Sequence, residues 1–420
     1  MNRRILHVIP FLWSGAGGVV TRLCLSQSLR ATVAIVTSGY SRGFSDWPAY
    51  RRRLSMAGIR HFSIDLFDRD PAVFWHSVDA LTAAVRKFKP HIVHCHAGVP
   101  ACVAAISRHT AGRRFSLLSQ FHSWGIARPD WMNAMDLWGF GQSDHMVCAA
   151  RSYRKILING GIRRERIDYI PWGLPLEEIR QVGRRPRGRG ARGPRLGFVG
   201  RIEPRKGQAD LIQAFACYHR RKPDSMLALV GPVGDEGYAQ IVRSLIRDFG
   251  IEDSVLMTGN VANVFRHIRG WDLFVSMSQD EGQGMAILEA MALGVPVLAR
   301  SVPGVQDYLR HGHNGLALES GAPAEAAKMI AWALEHPDRL ESMASRAQLM
   351  VERKYRWEDT LRRFDALYDS LRALAHRHGP SGAGGGCGDT VVQAPGMKNL
   401  RMCRKWMDVA AARSGRIVGE

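Results

Sequence analysis

The chain has 420 residues, too many for a single ordinary core and enough for two domains of roughly 180 residues each. Apolar residues make up 46% and charged residues 23%, a balance that excludes a disordered or fibrous protein. The net charge of +20 indicates attraction to an anion such as nucleic acid, an acidic membrane or a phosphorylated substrate, although an Arg-rich compositional bias would give the same excess.

The N-terminal half alternates short apolar runs with amphipathic stretches. Its first apolar run resembles a signal peptide, but His7 and Pro10 interrupt it and a glycine-rich turn follows, so we interpret it as a buried strand. Strands separated by helices predict a parallel, doubly wound sheet, and residues 1–182 are predicted to form a first Rossmann-like domain. The expected strands are 4–9, 32–37, 60–64, 91–95, 115–120 and 145–148, with a helix at 72–89.

Residues 183–195 contain only Gly, Pro, Ala and Arg, which cannot build a core, and they predict an interdomain linker. A second alternation of strands and helices then predicts another Rossmann-like domain over 196–356. A long helix with one apolar face is expected at 357–378, packing back on the N-terminal domain. Residues 379–420 begin with a glycine-rich run and lose all periodicity, so they predict a mobile tail.

The segment 280–297 carries the strongest chemical pattern in the sequence. It follows an apolar strand, passes two glycines and opens a short helix, and the bare N–H groups of such a helix start attract phosphate. Glu289 interrupts an otherwise apolar stretch of that helix, where an unpaired charge would be costly. Its carboxylate can accept two hydrogen bonds from a ribose diol. The alternative is that Glu281 and Glu289 are solvated surface charges.

The two glutamates with seven residues between them resemble the signature of glycosyltransferase family 4, whose members are retaining enzymes of the two-domain GT-B fold. The run Gly200–Gly207 is similar to the Gly-Arg…Lys-Gly turn of that family, and further similarity lies at 302–305, 314–316 and 16–19. The resemblance implies an α/β fold with two Rossmann-like domains facing across an interdomain cleft. It implies that the C-terminal domain holds a nucleotide-sugar donor and the N-terminal domain faces the acceptor.

The resemblance also implies roles for individual residues. Arg201 and Lys206 would neutralise the donor diphosphate, unless they are ordinary surface cations, and Glu289 would bind the ribose. Glu281, with the backbone of the next four residues, would contact the donor sugar and phosphates; these are Gly282, Gln283, Gly284 and Met285. An aromatic residue is usual where this chain has Gln283, which leaves the identity of the sugar open.

Two further positions come from the N-terminal half. His122 follows a predicted strand at the carboxyl edge of the sheet, where α/β folds bind ligands, and the resemblance places it near the donor sugar. The resemblance makes Gly17 and Gly18 a loop that faces the phosphates across the cleft. The predicted catalytic group therefore consists of His122, Arg201, Lys206 and Glu281.

No cofactor or metal ion is expected, because cationic side chains can replace a metal at the diphosphate. His94 and His96 are candidates for a shared metal ion. We expect them to point to opposite faces of their strand, and we therefore predict no metal site there.

The expected acceptor is a glycan, a lipid-linked or a small-molecule hydroxyl, in bacterial cell-surface polysaccharide or glycolipid synthesis. Seven scattered cysteines indicate a reducing, cytoplasmic location, and no apolar run approaches the ~18 residues of a membrane-spanning helix. Basic surface residues predict reversible association with the inner face of an anionic membrane. The alternatives are a nucleotide-sugar epimerase or phosphorylase of the same architecture, and a nucleic-acid-binding protein. Because no recognition module is readable, we expect no nucleic-acid partner.

Overall fold

The computed structural model describes residues 3–39, 47–66, 71–112, 115–123, 130–183 and 193–377. Residues 184–192 of the predicted linker and the whole predicted tail 379–420 lie outside these ranges. The described residues form two parallel sheets covered by helices, as the alternating pattern predicts.

The N-terminal sheet has the order β3-β2-β1-β4-β5-β6-β7 among the described residues, and all of its neighbouring strands are parallel. Its central strands are apolar on both faces because helices cover both, and Ile5, Leu6 and Val93 are fully buried. The strands are β1 Arg3–Val8, β2 Ala31–Thr37, β3 Arg60–Ser63, β4 Ile92–Cys95, β5 Ser116–Phe121, β6 His145–Cys148 and β7 Ile167–Tyr169. The helices are α1 Ser14–Ser28, α2 Trp47–Met56, α3 Pro71–Phe88, α4 Gly98–Thr110, α5 Asp130–Gly141, α6 Arg151–Asn159 and α7 Leu176–Gln181.

The C-terminal sheet has the order β10-β9-β8-β11-β12-β13, again parallel throughout its described strands. In both sheets the first strand lies near the centre. Strands are added first on one side of it and then on the other, and this change of side opens a crevice at the carboxyl edge. The strands are β8 Arg195–Val199, β9 Met226–Val230, β10 Val255–Gly259, β11 Leu273–Ser276, β12 Val297–Arg300 and β13 Leu316–Leu318. The helices are α8 Gln208–His219, α9 Glu236–Asp248, α10 Val264–Ile268, α11 Met285–Ala292, α12 Pro323–Glu335, α13 Pro337–Lys354 and α14 Trp357–Arg377.

Two helices pack outside the domain that precedes them in the chain. Leu176 and Ile179 of α7 join the core around α11, although the predicted first domain extended to residue 182. Phe364 and Tyr368 of α14 join the core of the N-terminal sheet, beside Ile5. The amphipathic face of each helix is therefore buried by the domain that it reaches.

The chain crosses between the domains at two points that lie side by side. The Leu174 N–H donates to the carbonyl of Tyr355 at 2.8 Å, and the Trp357 N–H donates to the carbonyl of Leu174 at 3.2 Å. A Cβ at Gly173 would lie 2.2 Å from the Arg356 carbonyl oxygen, so only glycine allows the two crossings to approach this closely. These paired segments form the hinge region between the domains.

Candidate active site

A tight turn after β8 carries the predicted phosphate-binding cations. Lys206 ends a short 3-10 turn, and Gly207 follows it with a positive φ of 67° as the N-cap of α8. A Cβ at Gly207 would lie 2.4 Å from the carbonyl oxygen of Met277, which is the residue after β11. Glycine here brings the cationic turn directly against the carboxyl end of the neighbouring strand.

Three cations of this turn each have a carboxylate partner. Arg201 lies 2.9 Å from Glu203, and Lys206 Nζ lies 2.5 Å from Glu281 Oε1. Arg205 binds Asp280 at 3.2 Å as well as Glu203. Arg205, Asp280 and Glu203 were not assigned roles from the sequence, although two of them lie inside the Gly200–Gly207 motif. The cluster joins this turn to the start of the donor loop, which we define as residues 280–284.

The charges of the cluster shift the titration of its members. Burial alone would raise the pKa of the Glu281 carboxyl, but Lys206 and Arg205 outweigh burial and hold that pKa below its ordinary value. Burial lowers the pKa of Arg201, and Glu203 opposes that shift. At neutral pH the site therefore holds ionised Glu281 within a cluster of paired cationic and carboxylate side chains.

The N-terminus of α11 adjoins the same cluster. Gly284 is its N-cap, with a φ of 73°, and a Cβ there would lie 2.7 Å from the Tyr308 hydroxyl. The first N–H groups of α11, beginning at Met285, are therefore preceded by a residue that has no side chain to block them. This geometry agrees with the phosphate-binding interpretation of the donor loop.

Glu289 lies one turn further along α11. Its carboxylate makes no hydrogen bond or ion pair with any other described residue, and burial raises the pKa of that carboxyl to about 7, with Arg22 opposing. Arg22 itself is paired with Glu178 at 2.6 Å. A carboxylate without a partner among the described residues, one turn from the start of α11, can accept hydrogen bonds from a ribose.

The Gln283 side chain is directed toward the N-terminal domain. Its Oε1 accepts from the Trp172 N–H at 2.7 Å, and its Nε2 donates to the Trp172 carbonyl at 2.8 Å. The side chain is buried, with 5% exposed. Only the backbone of Gln283 therefore remains available to a donor.

His122 follows β5 at the carboxyl edge of the N-terminal sheet, where the sequence placed it. Its backbone carbonyl faces Gly282, and a Cβ on that glycine would come within 2.2 Å of the oxygen. Burial lowers the pKa of the His122 imidazole to about 4, so the ring is neutral at pH 7. The structure thus brings His122 against the donor loop across the cleft.

Gly17 and Gly18 lie in the first turns of α1 rather than in a loop. The helix already begins at Ser14, so the loop before it ends ahead of these two glycines. A Cβ at Gly17 would lie 2.6 Å from the backbone of Leu12, so this glycine permits close packing of the preceding segment. Trp13 is the N-cap residue of α1, and the Arg201 guanidinium lies 4.6 Å from the centre of its ring. That cation–π contact connects α1 to the cationic turn.

Two family models match the chain in succession. One, described as Glycosyltransferase Family 4, covers residues 13–178, and the other, described as Glycosyl transferases group 1, covers residues 181–350. The chain belongs to the glycosyltransferases of the family 4 type.

Curated relatives of this glycosyltransferase include several enzymes named for different donors and acceptors. A D-inositol 3-phosphate glycosyltransferase of Thermobispora bispora is 30% identical over 52% of this chain and 54% of its own length. A GDP-mannose-dependent α-(1-6)-phosphatidylinositol monomannoside mannosyltransferase of Mycobacterium tuberculosis is 30% identical over 46% of this chain and 53% of its own. The chain thus spans about half the length of these relatives. An N-acetyl-α-D-glucosaminyl L-malate synthase of Bacillus anthracis is 24% identical over 72% of this chain and 85% of its own.

Solved structures agree on the fold of the glycosyltransferase. HepE of Anabaena, in complex with UDP and glucose, superposes with a TM-score of 0.73 at 21% identity, covering 88% of this chain and all of that one. Sucrose-phosphate synthase from Thermosynechococcus elongatus superposes with a TM-score of 0.74 at 19% identity, covering 89% and 100%. The predicted GT-B architecture is confirmed. No helix in the described part of the chain is long and apolar enough to cross a membrane.

Several contacts between the domains of the glycosyltransferase had no signal in the sequence. The Tyr153 hydroxyl of α6 bonds to Asp280 and, at 3.1 Å, to the carbonyl of Glu281. Asp307 accepts hydrogen bonds from the first N–H groups of α6, those of Arg151 and Ser152. Pairs of this kind join residues more than a hundred positions apart, so a single sequence does not reveal them.

The expectation that His94 and His96 point to opposite faces is wrong. Side chains two positions apart along a strand share a face, and these two rings lie 4.2 Å apart, centre to centre. With His7 they form a buried cluster whose ring nitrogens lie within 4.8 Å of one another, close enough in principle for a metal ion.

Hydrogen bonds within this histidine cluster already occupy most of its nitrogens. Gln27 Oε1 lies 2.8 Å from His7 Nε2, which must therefore be the donor, and His7 Nδ1 then accepts from His96 Nε2 at 2.9 Å. His94 Nδ1 is bonded to the Tyr368 hydroxyl at 2.8 Å. This arrangement is typical of a neutral structural network, and it joins α14 to the N-terminal sheet.

Proposed function

We propose that this protein transfers a sugar from a nucleoside diphosphate sugar to an acceptor hydroxyl, with retention of anomeric configuration. One observation carries the proposal. At one edge of the C-terminal sheet, the start of α11, whose N-cap is a glycine, lies beside Arg201, Lys206 and Glu281. Diphosphate needs both positive charge and free N–H donors, and this edge supplies both.

In the proposed reaction, the bond between the anomeric carbon and the diphosphate oxygen breaks as an acceptor hydroxyl attacks from the same face. The hydroxyl proton passes to the departing diphosphate, and negative charge on that group grows during the step. Arg201, Lys206 and the start of α11 stabilise this charge, so no metal ion or other cofactor is required. Glu289 holds the ribose, while neutral His122 lies beside the sugar.

The acceptor is proposed to be a hydroxyl of a glycan, a lipid-linked sugar or a small molecule in bacterial cell-surface polysaccharide or glycolipid synthesis. Two relatives support an anionic acceptor, since their names specify D-inositol 3-phosphate and phosphatidylinositol monomannoside. The basic excess of the chain is suited to such substrates.

We further propose a cytoplasmic location with reversible attachment to an anionic membrane. Arg51, Arg52 and Arg53 are all exposed on α2, and Met56 at the end of that helix is 77% exposed. Exposed basic side chains with an adjacent apolar residue are suited to the surface of an anionic leaflet.

Calorimetric titration with UDP-, GDP- and ADP-sugars tests the donor proposal. We expect one nucleotide class to bind the wild type and to bind the Glu289→Ala variant more weakly. Incubation of the bound donor with and without acceptor then separates transfer from epimerisation. No binding of any nucleotide sugar would contradict the proposal.

A further inference from the structure

Gln283 and Trp172 are joined across the cleft by two hydrogen bonds to a single residue. The glutamine amide pairs with both the N–H and the carbonyl of Trp172, at 2.7 and 2.8 Å. Gln283 belongs to the donor loop of the C-terminal domain, whereas the Trp172 ring lies in the core of the N-terminal domain. The contact therefore joins the donor loop to the N-terminal domain, next to the paired crossings at Gly173 and Leu174.

The Trp172 ring transmits this contact to His122. The two rings are stacked, with centres 6.0 Å apart and an interplanar angle of 8°. On the N-terminal side, Trp172 packs against Trp357 and Phe364, at centre distances of 6.4 and 5.5 Å. The tryptophan is thus held between a rigid core and the imidazole.

Adjacent residues of the donor loop reach both parts of His122. Gly282 contacts its backbone carbonyl, and Gln283 reaches its ring through Trp172. The shielded Nε2 of His122 has no hydrogen-bond partner among the described residues, so packing rather than hydrogen bonding orients that side of the ring. The donor loop therefore contacts the backbone of His122 directly and its imidazole through Trp172, while His96 of the N-terminal domain packs against the same ring.

We propose that Gln283 is a positioning residue that couples closure of the donor loop to the orientation of His122. This inference rests on the proposed function, in which His122 lies beside the donor sugar. Gln283 acts through Trp172 and makes no contact with the sugar by its own side chain. Gln283 therefore affects the rate of the chemical step rather than the affinity for the donor.

A double-mutant cycle tests the coupling, with release of nucleoside diphosphate from the donor that binds the wild type as the assay. Gln283→Met keeps the length of the side chain and removes both hydrogen bonds. We expect kcat to fall about tenfold, because small misplacements of a reacting group are costly, while donor Kd changes less than about twofold. In a His122→Ala background the same substitution should change kcat by less than about twofold.

Gln283→Glu provides a second, nearly isosteric variant. Its ionised carboxylate still accepts from the Trp172 N–H but cannot donate to the Trp172 carbonyl, and protonation restores a donor. We expect its kcat relative to wild type to recover as the pH falls. Gln348→Met is the matched control, since Gln348 also donates to a backbone carbonyl, that of Ala292, but within one domain. Its kcat should equal that of the wild type.

The outcomes separate the two proposals. Additive losses from Gln283→Met and His122→Ala, or a loss of donor affinity as large as the loss of kcat, would overturn the positioning role. A wild-type protein that binds no nucleotide sugar would instead overturn the proposed function.

Discussion

Lys206 and Glu281 form an ion pair with 2.5 Å between Nζ and Oε1, and both side chains are largely buried. One residue is expected to bind the donor diphosphate and the other the donor sugar. The pair therefore sets the charge at the point where those two parts of the donor meet.

We expect Lys206→Ala to lower kcat by about a hundredfold, with a smaller effect on donor affinity, because the lysine stabilises charge that grows on the leaving group. Arg201→Ala should act in the same direction. Steady-state kinetics together with calorimetry separates the two effects. Lys222→Ala, at an exposed lysine of the same domain, is the control. Equal losses in affinity and rate would instead indicate binding that does not distinguish the transition state.

The same variant should alter the pH profile. Lys206 and Arg205 together hold the pKa of Glu281 below its ordinary value against the effect of burial, so removal of the lysine lets that pKa rise. The acid limb of the kcat profile should then move to higher pH, whereas Lys206→Arg should leave it close to that of the wild type. An unchanged acid limb in Lys206→Ala would show that Glu281 does not control it.

Donor affinity should increase as the pH rises through about 7, because burial raises the pKa of Glu289 to about 7 and only the ionised carboxylate accepts both ribose hydroxyls. The effect on folding has the opposite sign. A carboxyl whose pKa is raised in the folded state contributes stability below its unfolded value of 4.5, and this is lost as the pH rises through about 7. Calorimetry of wild type and Glu289→Gln from pH 5.5 to 8.5 checks the first effect. The glutamine variant should show a much flatter profile.

Acid should loosen α14 from the N-terminal domain. Burial lowers the pKa of His7 to about 4 and lowers those of His94 and His96, so these rings fold in the neutral form. Their contribution to stability is complete above an unfolded pKa near 6.5 and is lost as the pH falls toward 4. Thermal unfolding between pH 4 and 7.5 should show the loss.

Tyr368→Phe tests the same network at neutral pH. It removes only the hydroxyl that bonds to His94 and Gln27, and we expect a cost of about 1–3 kcal/mol from the polar groups left unpaired. His109→Gln, at an exposed histidine, should leave both the stability at pH 7.5 and the acid transition unchanged. A neutral effect of Tyr368→Phe would indicate that the network contributes little to the packing of α14.

Activity should survive a chelator, because in the proposed mechanism Arg201, Lys206 and the start of α11 take the place of a metal ion at the diphosphate. Product formation in excess EDTA, compared with the same assay containing magnesium or manganese, measures this directly. Complete loss on chelation with recovery on added metal would contradict the proposed metal-independent mechanism.

Vesicle sedimentation tests the membrane proposal. Replacement of Arg51, Arg52 and Arg53 by alanine should weaken binding to anionic vesicles, since each basic side chain near such a surface contributes about 1 kcal/mol. A matched triple variant at Arg220, Arg221 and Lys222, all exposed on the C-terminal domain, should bind like the wild type. Binding of the wild type should fade with added salt, and binding indifferent to lipid charge would contradict the proposal.

Local patterns in the sequence predicted much of the fold. The helix expected at 357–378 agrees with α14, which ends at Arg377, and the apolar runs agree with the central strands to within one or two residues. These elements have strong periodicity or continuous apolar character. The edge strands β7 and β13 are only three residues long, too short for a periodic pattern, and they were not predicted.

In the candidate site, too, contiguous motifs were predicted and contacts between distant positions were not. The cationic turn and the donor loop are contiguous motifs, so their residues could be named from the sequence. The two hydrogen bonds between Gln283 and Trp172 join positions 111 residues apart, and no local sequence pattern predicts them. The histidine cluster shows a different limit, because its strand was identified correctly but the shared face of His94 and His96 was not.

The paired crossings at the hinge make the C-terminal domain an insertion within the N-terminal one. Leu174 and Arg356 are bridged to each other, so a fragment between them has adjacent ends and is suited to excision or circular permutation. A truncation at residue 356 has the less obvious effect. It leaves the C-terminal domain intact, but it removes Phe364 and Tyr368 from the core of the N-terminal domain. Stability of the first domain therefore depends on the last described helix of the chain.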